Sequence, residues 1–411
     1  MRKKLFIVES SVIGPQYLSK AAAELDLESI FLTKLTNQEG DALKGLVNSN
    51  FIVCDTEDPK QLIDVISRFK KTEIAGVVTF LDSRLDLIAK ICARLKVPGI
   101  DPAVLRLKDK GAVARLIPEY SPRTIEFHCD KIPFRKIDSL LKDNANGLIV
   151  KPRFLAGGKG FRWVRNRQDL NGLSQEIHKL PKGLKPHLMI AQTKAPGELV
   201  SFEGFVIEGN TTVIGVTGRR KIGSTESAFL FPYDEYLPKK SLDFCHEAIN
   251  ALVLRAHFRT GFFHTEFMVH QDGNVLIDCN FGRPGGANIA EILSSAFDLD
   301  PVTFYKNVLS IQLYGKPSIP ALSWKKPPRR SLGIAYGVAA STRVLGIQGP
   351  KIFQSTHTMA VNRGANVPAM GASNWAWVGL LAGRPSQVLS DLYQLKILTE
   401  RGSESPCYSM E

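Results

Sequence analysis

Two acidic side chains within residues 262–280 have the spacing of a pair of metal ligands. The segment holds two runs of alternating residues, typical of a β-hairpin, with Glu266 in the first run and Asp278 in the second. A three-residue loop at Gln271–Gly273, with its glycine in the left-handed conformation, places the two carboxylates directly opposite each other. The amide of Asn280 then lies on the same face, and such hard oxygen donors suit Mg²⁺. The pattern predicts a magnesium site.

The other face of this hairpin suits a hydrophobic core. Its residues are Phe263, Thr265, Phe267, Val269, Val275, Ile277 and Cys279. Cys279 is therefore expected to pack in the core and not to act as a nucleophile. A two-residue turn would shift the register and break the alignment of the carboxylates. The alternative interpretation is an ordinary hairpin with one polar, solvent-exposed face.

The residues that follow the hairpin favour a functional site. Within Asn280–Gly286, proline and glycines flank Arg283, which could bind a phosphate with two hydrogen bonds. His264 shares the face of Glu266, where it either meets substrate or makes a structural hydrogen bond. For the basic residues 219–221 a solvated loop is favoured over a substrate-binding role.

A glycine-rich loop at residues 156–160 has the composition of a phosphate-binding lid. Backbone amides could approach anionic oxygens at Gly157, Gly158 and Gly160. Lys159 adds a charge at the tip, and Lys151 ends the preceding strand. It is not a Walker A loop, because no Gly-Lys-Ser/Thr follows at the required spacing. It is not a dinucleotide fingerprint either, because it leads into another strand, Phe161–Val164. A hairpin over a nucleotide is one interpretation, and a flexible surface turn is the other.

A larger fold must position these segments. Short apolar strands alternate with helices from Lys4–Val8 to Ser83–Leu95, which predicts a parallel sheet with both faces covered. Hairpins and a long helix at Ser241–His257 follow, and the polar end Arg401–Glu411 is expected to be a mobile tail. The predicted units are an N-terminal α/β domain (1–104), a subdomain with the glycine loop (105–186), a subdomain with the metal site (187–312) and a C-terminal domain (313–411).

Composition limits the partners. The 411 residues carry a net charge of +13, which either indicates acidic partners, such as nucleotide phosphates or an acidic carrier protein, or reflects a generally basic proteome. Nucleic acid has the weakest support because no basic block is interleaved with aromatic residues. No apolar run approaches the roughly 18 residues of a membrane span. The six cysteines contain no Cys-x-x-Cys pair, which argues against structural zinc and disulfides and for a cytoplasmic location.

The order of these parts resembles the ATP-grasp superfamily, and in particular carboxylate–amine ligases of the L-amino-acid ligase type. The matching segments are Asp109-Lys110, Ile149–Pro152 with the glycine loop, Pro196–Glu198, and the hairpin with Asp278–Arg283. The resemblance covers residues 1–310 well and the last hundred loosely. It implies an α/β (α+β) ATP-grasp fold and an ATP-dependent ligase that forms C–N bonds through an acyl phosphate.

The resemblance also implies site residues. Those for ATP phosphates are Lys110, Lys151 and the lid residues Ala156, Gly157, Gly158, Lys159 and Gly160. Those beside adenine and ribose are Gln192, Thr193, Lys194 and Glu198. Those for two Mg²⁺ ions, with Mn²⁺ as a substitute, are Glu266, Asp278 and Asn280. Those with catalytic roles are Arg283, Lys159 and His264.

The chain departs from the family pattern at two places. Ala191 and Gln192 stand where acidic hinge residues are usual, which puts a side-chain contact to the adenine amine in doubt. Asp278 replaces the more usual glutamate, and its shorter side chain would require a tighter geometry around two ions.

Three functions stay open. The first is a ligase that joins small carboxylate and amine substrates of the amino-acid type. The second is the same chemistry with a carrier protein or peptide as the acceptor. The third is a regulatory protein that binds ATP without turnover. A homodimer is compatible with each, and no membrane partner is expected.

Overall fold

A computed structural model of the chain describes residues 2–9, 15–34, 50–154, 160–179, 187–286, 288–319, 324, 328–373 and 376–411. The first unit is a parallel four-stranded sheet of order β3-β2-β1-β4. Its strands and helices are β1 (Lys3–Val8), α1 (Pro15–Glu24), β2 (Leu27–Thr33), β3 (Asn50–Val53), α2 (Pro59–Ile66), β4 (Ile74–Val78) and α3 (Leu85–Leu95). The predicted parallel sheet is confirmed.

Local sequence explains these elements. Leu5 to Val8 in β1 and all of β4 are buried, as expected for a sheet with both faces covered. The side chain of Asp58 accepts a hydrogen bond from the Lys60 amide at the start of α2, and Pro59 occupies the first turn. Short 3₁₀ turns lie at Lys71–Glu73 and Asp82–Arg84.

The second unit is an antiparallel sheet of order β5-β8-β6-β7. Its elements are α4 (Val104–Leu107), α5 (Lys110–Leu116), β5 (Thr124–His128), α6 (Phe134–Lys142), β6 (Leu148–Pro152), β7 (Arg162–Val164), α7 (Arg167–His178) and β8 (Leu188–Thr193). One face packs on α6 and α7 through a separate apolar cluster that includes Ile137, Leu148 and Leu173. Lys151 lies on the other face and donates a hydrogen bond to the Ile277 carbonyl of the third unit.

The third unit is an eight-stranded sheet of order β13-β12-β9-β10-β11-β14-β18-β16. Its strands are β9 (Glu198–Ile207), β10 (Asn210–Ile222), β11 (Thr225–Phe231), β12 (Gly261–His270), β13 (Gly273–Phe281), β14 (Ser331–Tyr336), β16 (Thr356–Met359) and β18 (Gly379–Gly383). Its helices are α8 (Lys239–Ala256), α9 (Ile289–Ala296) and α10 (Pro301–Tyr314). Glu208 and Gly209 both have positive φ, as in the two-residue turns that suit a twisted hairpin.

The remaining elements form a small sheet of order β17-β15-β19-β20, beside a last helix. They are β15 (Thr342–Gln348), β17 (Asn366–Val367), α11 (Pro385–Gln394), β19 (Lys396–Thr399) and β20 (Gly402–Glu404). No helix within the described ranges is both long and apolar enough to cross a bilayer. The four-unit division stays a prediction, and two of its boundaries run through sheets, because β8 pairs with β5 and β6 and β11 pairs with β14.

The prediction of a mobile tail at Arg401–Glu411 is wrong, because this segment is bound to the rest of the protein. Gly402–Glu404 pairs with β19, and Cys407 exchanges two backbone hydrogen bonds with Gly337, at 3.0 and 2.8 Å. The amide of Ser409 donates to the Ser227 hydroxyl at 2.7 Å. The segment is polar, which suggested mobility, but its polar groups form hydrogen bonds with the body of the protein.

Candidate active site

The hairpin β12–β13 aligns the two predicted carboxylates by an unexpected route. Its turn contains only two residues, and His270 pairs with Gly273, so the predicted three-residue loop is wrong. One extra residue in β13, Ile277, forms a bulge that restores the register. Glu266 therefore lies directly opposite Asp278, as predicted.

The bulge changes which residues of β13 face the core. Leu276 is buried, whereas Val275 and Ile277 are half-buried, so the prediction for these two core positions is wrong. Cys279 is buried as predicted, and its thiol donates to the Leu107 carbonyl at 3.3 Å. Burial raises the pKa of this thiol above its ordinary value, which keeps it protonated.

Two lysines from the second unit reach across to β13. The ammonium of Lys151, on β6, donates to the carbonyl of the bulged Ile277 at 3.1 Å. The Nζ of Lys110, the first residue of α5, lies 3.0 Å from Oδ1 of Asp278. A small cavity between the two units is lined by Lys110, Asp278 and Gln192, among other residues. The structure thus brings together both lysines and one carboxylate.

Burial acts differently on these two lysines. Burial, together with the nearby charge of Lys110, lowers the pKa of Lys151 to about 8. Burial also lowers the pKa of Lys110, but the ion pair with Asp278 more than offsets this effect, so its pKa lies above the ordinary value. Lys110 is therefore a permanent cation, and a bound anion would favour the charged form of Lys151.

Asp109 fixes the start of the helix that carries Lys110. Its carboxylate accepts hydrogen bonds from the amides of Gly111 and Ala112, which makes it the N-cap of α5. It also forms an ion pair with Arg153, the residue that follows β6. This pair joins the helix of one lysine to the strand of the other.

Arg219 is buried at the centre of the same face, although a solvated loop is the interpretation that the sequence favours. Strand β10 continues to Ile222, and its pairing with β9 and β11 places Arg219 on the side of Glu266. The guanidinium forms ion pairs with Glu266 and Glu226, and its Nη1 lies 3.0 Å from Nε2 of His264. The loop prediction for this residue is wrong.

His264 belongs to the same network. Its Nδ1 lies 2.8 Å from Oε1 of Glu203, and the Ser201 hydroxyl donates to the same oxygen at 2.9 Å. Burial lowers the pKa of His264, but the Glu203 carboxylate raises it more, to about 9. The ring packs against Gly285, where an added Cβ would lie 2.6 Å from Nδ1. The structural interpretation of His264 thus gains direct support.

Four residues of this network are missing from the sequence-based site. They are Ser201, Glu203, Arg219 and Glu226. Alternation in β9 puts Ser201 and Glu203 on one face, directly opposite Glu266 and His264. Pairing β9 with β12 would have identified these two residues, but that pairing is not encoded in the local pattern.

Arg283 lies beside the predicted metal ligands. Its Nη2 is 3.4 Å from Oδ1 of Asn280 and 3.8 Å from Oδ1 of Asp82, which follows β4 of the first unit. Its Nη1 donates to the carbonyl of Pro284 at 2.9 Å. Its Nε is buried and has no hydrogen-bond partner within the described residues. Asn280 pairs with His264 and so shares the face of Glu266.

The structure does not bring Glu198 to this face. Glu198 pairs with Val269, on the side of the sheet that carries the core, and Leu199 occupies the neighbouring position on the Glu266 side. The carboxylate of Glu198 accepts a hydrogen bond from Tyr233 at 3.1 Å and lies 3.8 Å from Arg220. A ribose contact from this side chain stays a prediction.

The predicted hinge residues are largely committed to other partners. The Gln192 side chain donates to Oγ1 of Thr124 at 3.0 Å. The backbone amides of Thr193 and Lys194 donate to the carbonyls of Arg123 and Gly147. The Lys194 ammonium lies 4.8 Å from the centre of the Trp163 ring. Adenine contacts at this hinge stay predictions.

Most of the glycine loop lies outside the described residues. Ala156, Gly157, Gly158 and Lys159 belong to that part, and nothing follows for them here. Gly160 is described and has a φ of +73°, a conformation that favours glycine.

The donor set for a metal ion is incomplete but chemically consistent with Mg²⁺. Among the described residues no group of three or more His, Cys, Asp or Glu side chains could hold a metal by itself. Glu266, Asp278 and Asn280 supply two carboxylates and one amide on one face. Mg²⁺ characteristically takes one or two carboxylates and completes its shell with water and phosphate oxygens. The residues present therefore fit a Mg²⁺ ion whose coordination shell is completed by water or phosphate oxygens.

Comparisons with known proteins agree on the fold. The model of the ATP-grasp N-terminal domain matches residues 19–99. No curated protein matches the chain by sequence. An L-amino acid ligase from Bacillus licheniformis is 18% identical, with a TM-score of 0.74 over 93% of each chain. A phosphoribosylglycinamide synthetase from Anaerococcus prevotii is 16% identical, with a TM-score of 0.71 over 97% of this chain and 99% of that one.

A third similar structure holds a nucleotide. It is an N5-carboxyaminoimidazole synthetase from Staphylococcus aureus complexed with ADP, which is 13% identical, with a TM-score of 0.66 over 95% of each chain. At these identities the likeness concerns the fold, and the matched N-terminal domain adds independent sequence support. The chain therefore has the ATP-grasp fold, and its residues 19–99 match the model of the ATP-grasp N-terminal domain.

Proposed function

We propose that the protein is an ATP-dependent carboxylate–amine ligase that joins amino-acid-type substrates through an acyl phosphate. The observation that carries this proposal is the convergence on β13, where Lys110 and Lys151 meet the face that presents Glu266 opposite Asp278. Cations and acidic metal ligands on facing elements form a site for a metal-bound polyphosphate. The likeness to an L-amino acid ligase over nearly the whole chain supports the substrate class.

The chain's own residues would act by charge and position. Lys110 and Lys151 would bind phosphate oxygens of ATP, after leaving their present partners Asp278 and the Ile277 carbonyl. Arg283 would lie against the transferring phosphoryl group, where its charge stabilises the transition state. No covalent protein nucleophile is required.

The metal ligands would be Glu266, Asp278 and Asn280, for two Mg²⁺ ions that Mn²⁺ could replace. When bound, these ions would neutralise charge on the phosphates and orient the γ-phosphate for attack. Lys159 and the glycine loop would cover the phosphates, the hinge at Gln192–Lys194 would contact adenine, and Glu198 would reach the ribose. These last three roles rest on the resemblance alone.

The reaction balances without a further reagent. A carboxylate oxygen attacks the γ-phosphorus, the bond to the β-phosphate oxygen breaks, and ADP leaves. The amine then attacks the acyl carbon, inorganic phosphate departs with the bonding pair, and the nitrogen loses one proton. Water must be excluded between these steps because an acyl phosphate hydrolyses.

The test uses the purified full chain with ATP, Mg²⁺ and defined mixtures of amino acids, and it measures ADP, phosphate and new amide bonds. Release of ADP that depends on amino acids, with an amide product, supports the proposal. ADP release with bicarbonate but not with amino acids would point to a carboxylating relative. ATP binding without turnover on any carboxylate would favour a regulatory protein.

A macromolecular acceptor is the second candidate, and the net charge of +13 favours it. An acidic carrier protein or peptide would be drawn to such a surface. Amino-acid-dependent turnover that requires a carrier protein, and that falls steeply with added salt, would support this acceptor.

A further inference from the structure

We propose that Arg219 is a positioning residue for the metal ligand Glu266, and that Glu226 holds Arg219 in place. This inference rests on the proposed function, because it takes Glu266 as a ligand of the metal that accompanies ATP. Neither Arg219 nor Glu226 belongs to the proposed ligand set. Both are buried, with 7% of each residue exposed.

Contacts to Glu266 are concentrated on one of its two oxygens. Oε1 accepts from Nη1 of Arg219 and lies 3.3 Å from Nε2 of His264. Oε2 accepts no hydrogen bond within the described part of the chain. The carboxylate is thus fixed through one oxygen, while the other is left to bind a ligand on the face shared with Asp278.

The guanidinium of Arg219 can hold Glu266 in a fixed orientation because it is planar and rigid and binds two carboxylates at once. Nη1 binds Glu266 while Nη2 binds Glu226, on the neighbouring strand β11. The Phe229 ring lies 5.7 Å from the guanidinium carbon and restricts its movement. A lysine would carry the same charge, but a single ammonium cannot reproduce two contacts in a fixed plane.

Outer contacts of this kind commonly set the affinity of a metal site. Removal of a group that orients a ligand typically costs roughly 10–100-fold in metal affinity. The Arg219→Lys substitution keeps the charge near the metal and changes only the geometry, so it separates positioning from electrostatics. Arg330→Lys is the matched control, because Arg330 is an exposed arginine whose partner is Glu235, outside the proposed site.

The experiment measures binding of Mn²⁺ by electron paramagnetic resonance, in the presence of ADP, for the wild type and both variants. We expect Arg219→Lys to weaken Mn²⁺ binding roughly 10–100-fold, with the Arg330→Lys value within about twofold of the wild type. Thermal unfolding is measured alongside. If Arg219→Lys lowers only the melting temperature and binds Mn²⁺ like the wild type, Arg219 has a purely structural role and the inference is overturned.

A second variant guards against a folding defect in the first. Glu226→Gln keeps the shape of the side chain and removes the charge that holds the Arg219 guanidinium, and we expect weaker Mn²⁺ binding in the same direction. Wild-type protein that binds Mn²⁺ with ADP but turns over no carboxylate would contradict the proposed function, and the variant-to-wild-type ratio would still decide this inference. Wild-type protein that binds no Mn²⁺ would contradict both.

Discussion

Lys110 makes an ion pair with Asp278, a side chain that the proposed function assigns to the metal. Each of the two opposed carboxylates forms an ion pair with a side-chain cation, Asp278 with Lys110 and Glu266 with Arg219. These cations relieve the repulsion between like charges that face each other across a strand pair. At the residue scale each predicted metal ligand of this pair is therefore matched by a cation of the protein.

Glu266→Gln tests the central carboxylate. It keeps the side-chain volume and removes the charge that would bind the metal, so we expect amino-acid-dependent ADP formation to fall by at least about 100-fold. Asp272→Asn, in the exposed turn of the same hairpin, is the matched control and should leave the rate unchanged. Near-normal turnover by Glu266→Gln, with an unchanged circular dichroism spectrum, would refute the site assignment.

Glu291 makes a second prediction at this scale. It is buried in the first turn of α9, and its Oε1 has no hydrogen-bond partner within the described residues. Burial raises its pKa from the ordinary 4.5 to about 7. The folded state therefore binds a proton more tightly than the unfolded chain, so the protein is most stable below the unfolded pKa and loses stability as pH rises through 7.

The size of this effect follows from the shift in pKa, which amounts to roughly 3 kcal/mol of unfolding free energy lost between about pH 4.5 and above pH 7. Urea unfolding across this range measures it. Glu291→Gln, which stays neutral, should have a flatter profile, whereas Glu247→Gln on the exposed side of α8 should follow the wild type. Equal slopes for Glu291→Gln and the wild type would contradict the prediction.

At the scale of elements, the hairpin explains what could be predicted from the sequence. Alternation identified both strands and the shared face of Glu266 and Asp278, because a period of two is visible in local sequence. The Ile277 bulge was not predictable from local sequence, because the hydrogen bond that its carbonyl accepts comes from Lys151, on a strand distant in sequence. The extension of β10 through Arg219 depends likewise on Glu226 and Glu266, which lie on other strands.

The loop after β13 contains two adjacent glycines with different surroundings, Gly285 and Gly286. An added Cβ at Gly285 would lie 2.6 Å from Nδ1 of His264, whereas one at Gly286 would meet nothing within 4 Å. We expect Gly285→Ala to displace the ring from Glu203 and to destabilise the protein by roughly 1–3 kcal/mol. Gly286→Ala should be close to neutral. Denaturant unfolding compares the two, and equal effects would show that His264 is not fixed by this loop.

At the scale of the whole molecule, the chain closes on itself through its last residues. The parallel N-terminal sheet was predictable because short apolar runs alternate with helices, whereas the docking of the C-terminal segment was not, since polar residues form its contacts. Cys407 is hydrogen-bonded to Gly337, and Ser409 is hydrogen-bonded to Ser227 on β11. The end of the chain thus contacts the sheet that contains Arg219.

Truncation tests this connection. Removal of residues 401–411 deletes strand β20 and the contacts of Cys407 and Ser409, and we expect the melting temperature to fall by several degrees, on the order of 4 °C. Removal of Met410 and Glu411 alone should have little effect, because the backbone bonds of Cys407 and Ser409 to the body remain. An unchanged melting temperature for the longer truncation would show that the tail contributes nothing to stability.

The two contacts that Lys110 and Lys151 make with β13 have a consequence for motion. They bridge the second sheet and the eight-stranded sheet, and each ends on an oxygen of β13. A phosphate oxygen would compete for the same ammonium groups. Nucleotide binding would therefore replace the contacts of the two lysines with β13 by contacts with the nucleotide. The separation of the two sheets and the binding of a nucleotide would thereby be coupled through Lys110 and Lys151.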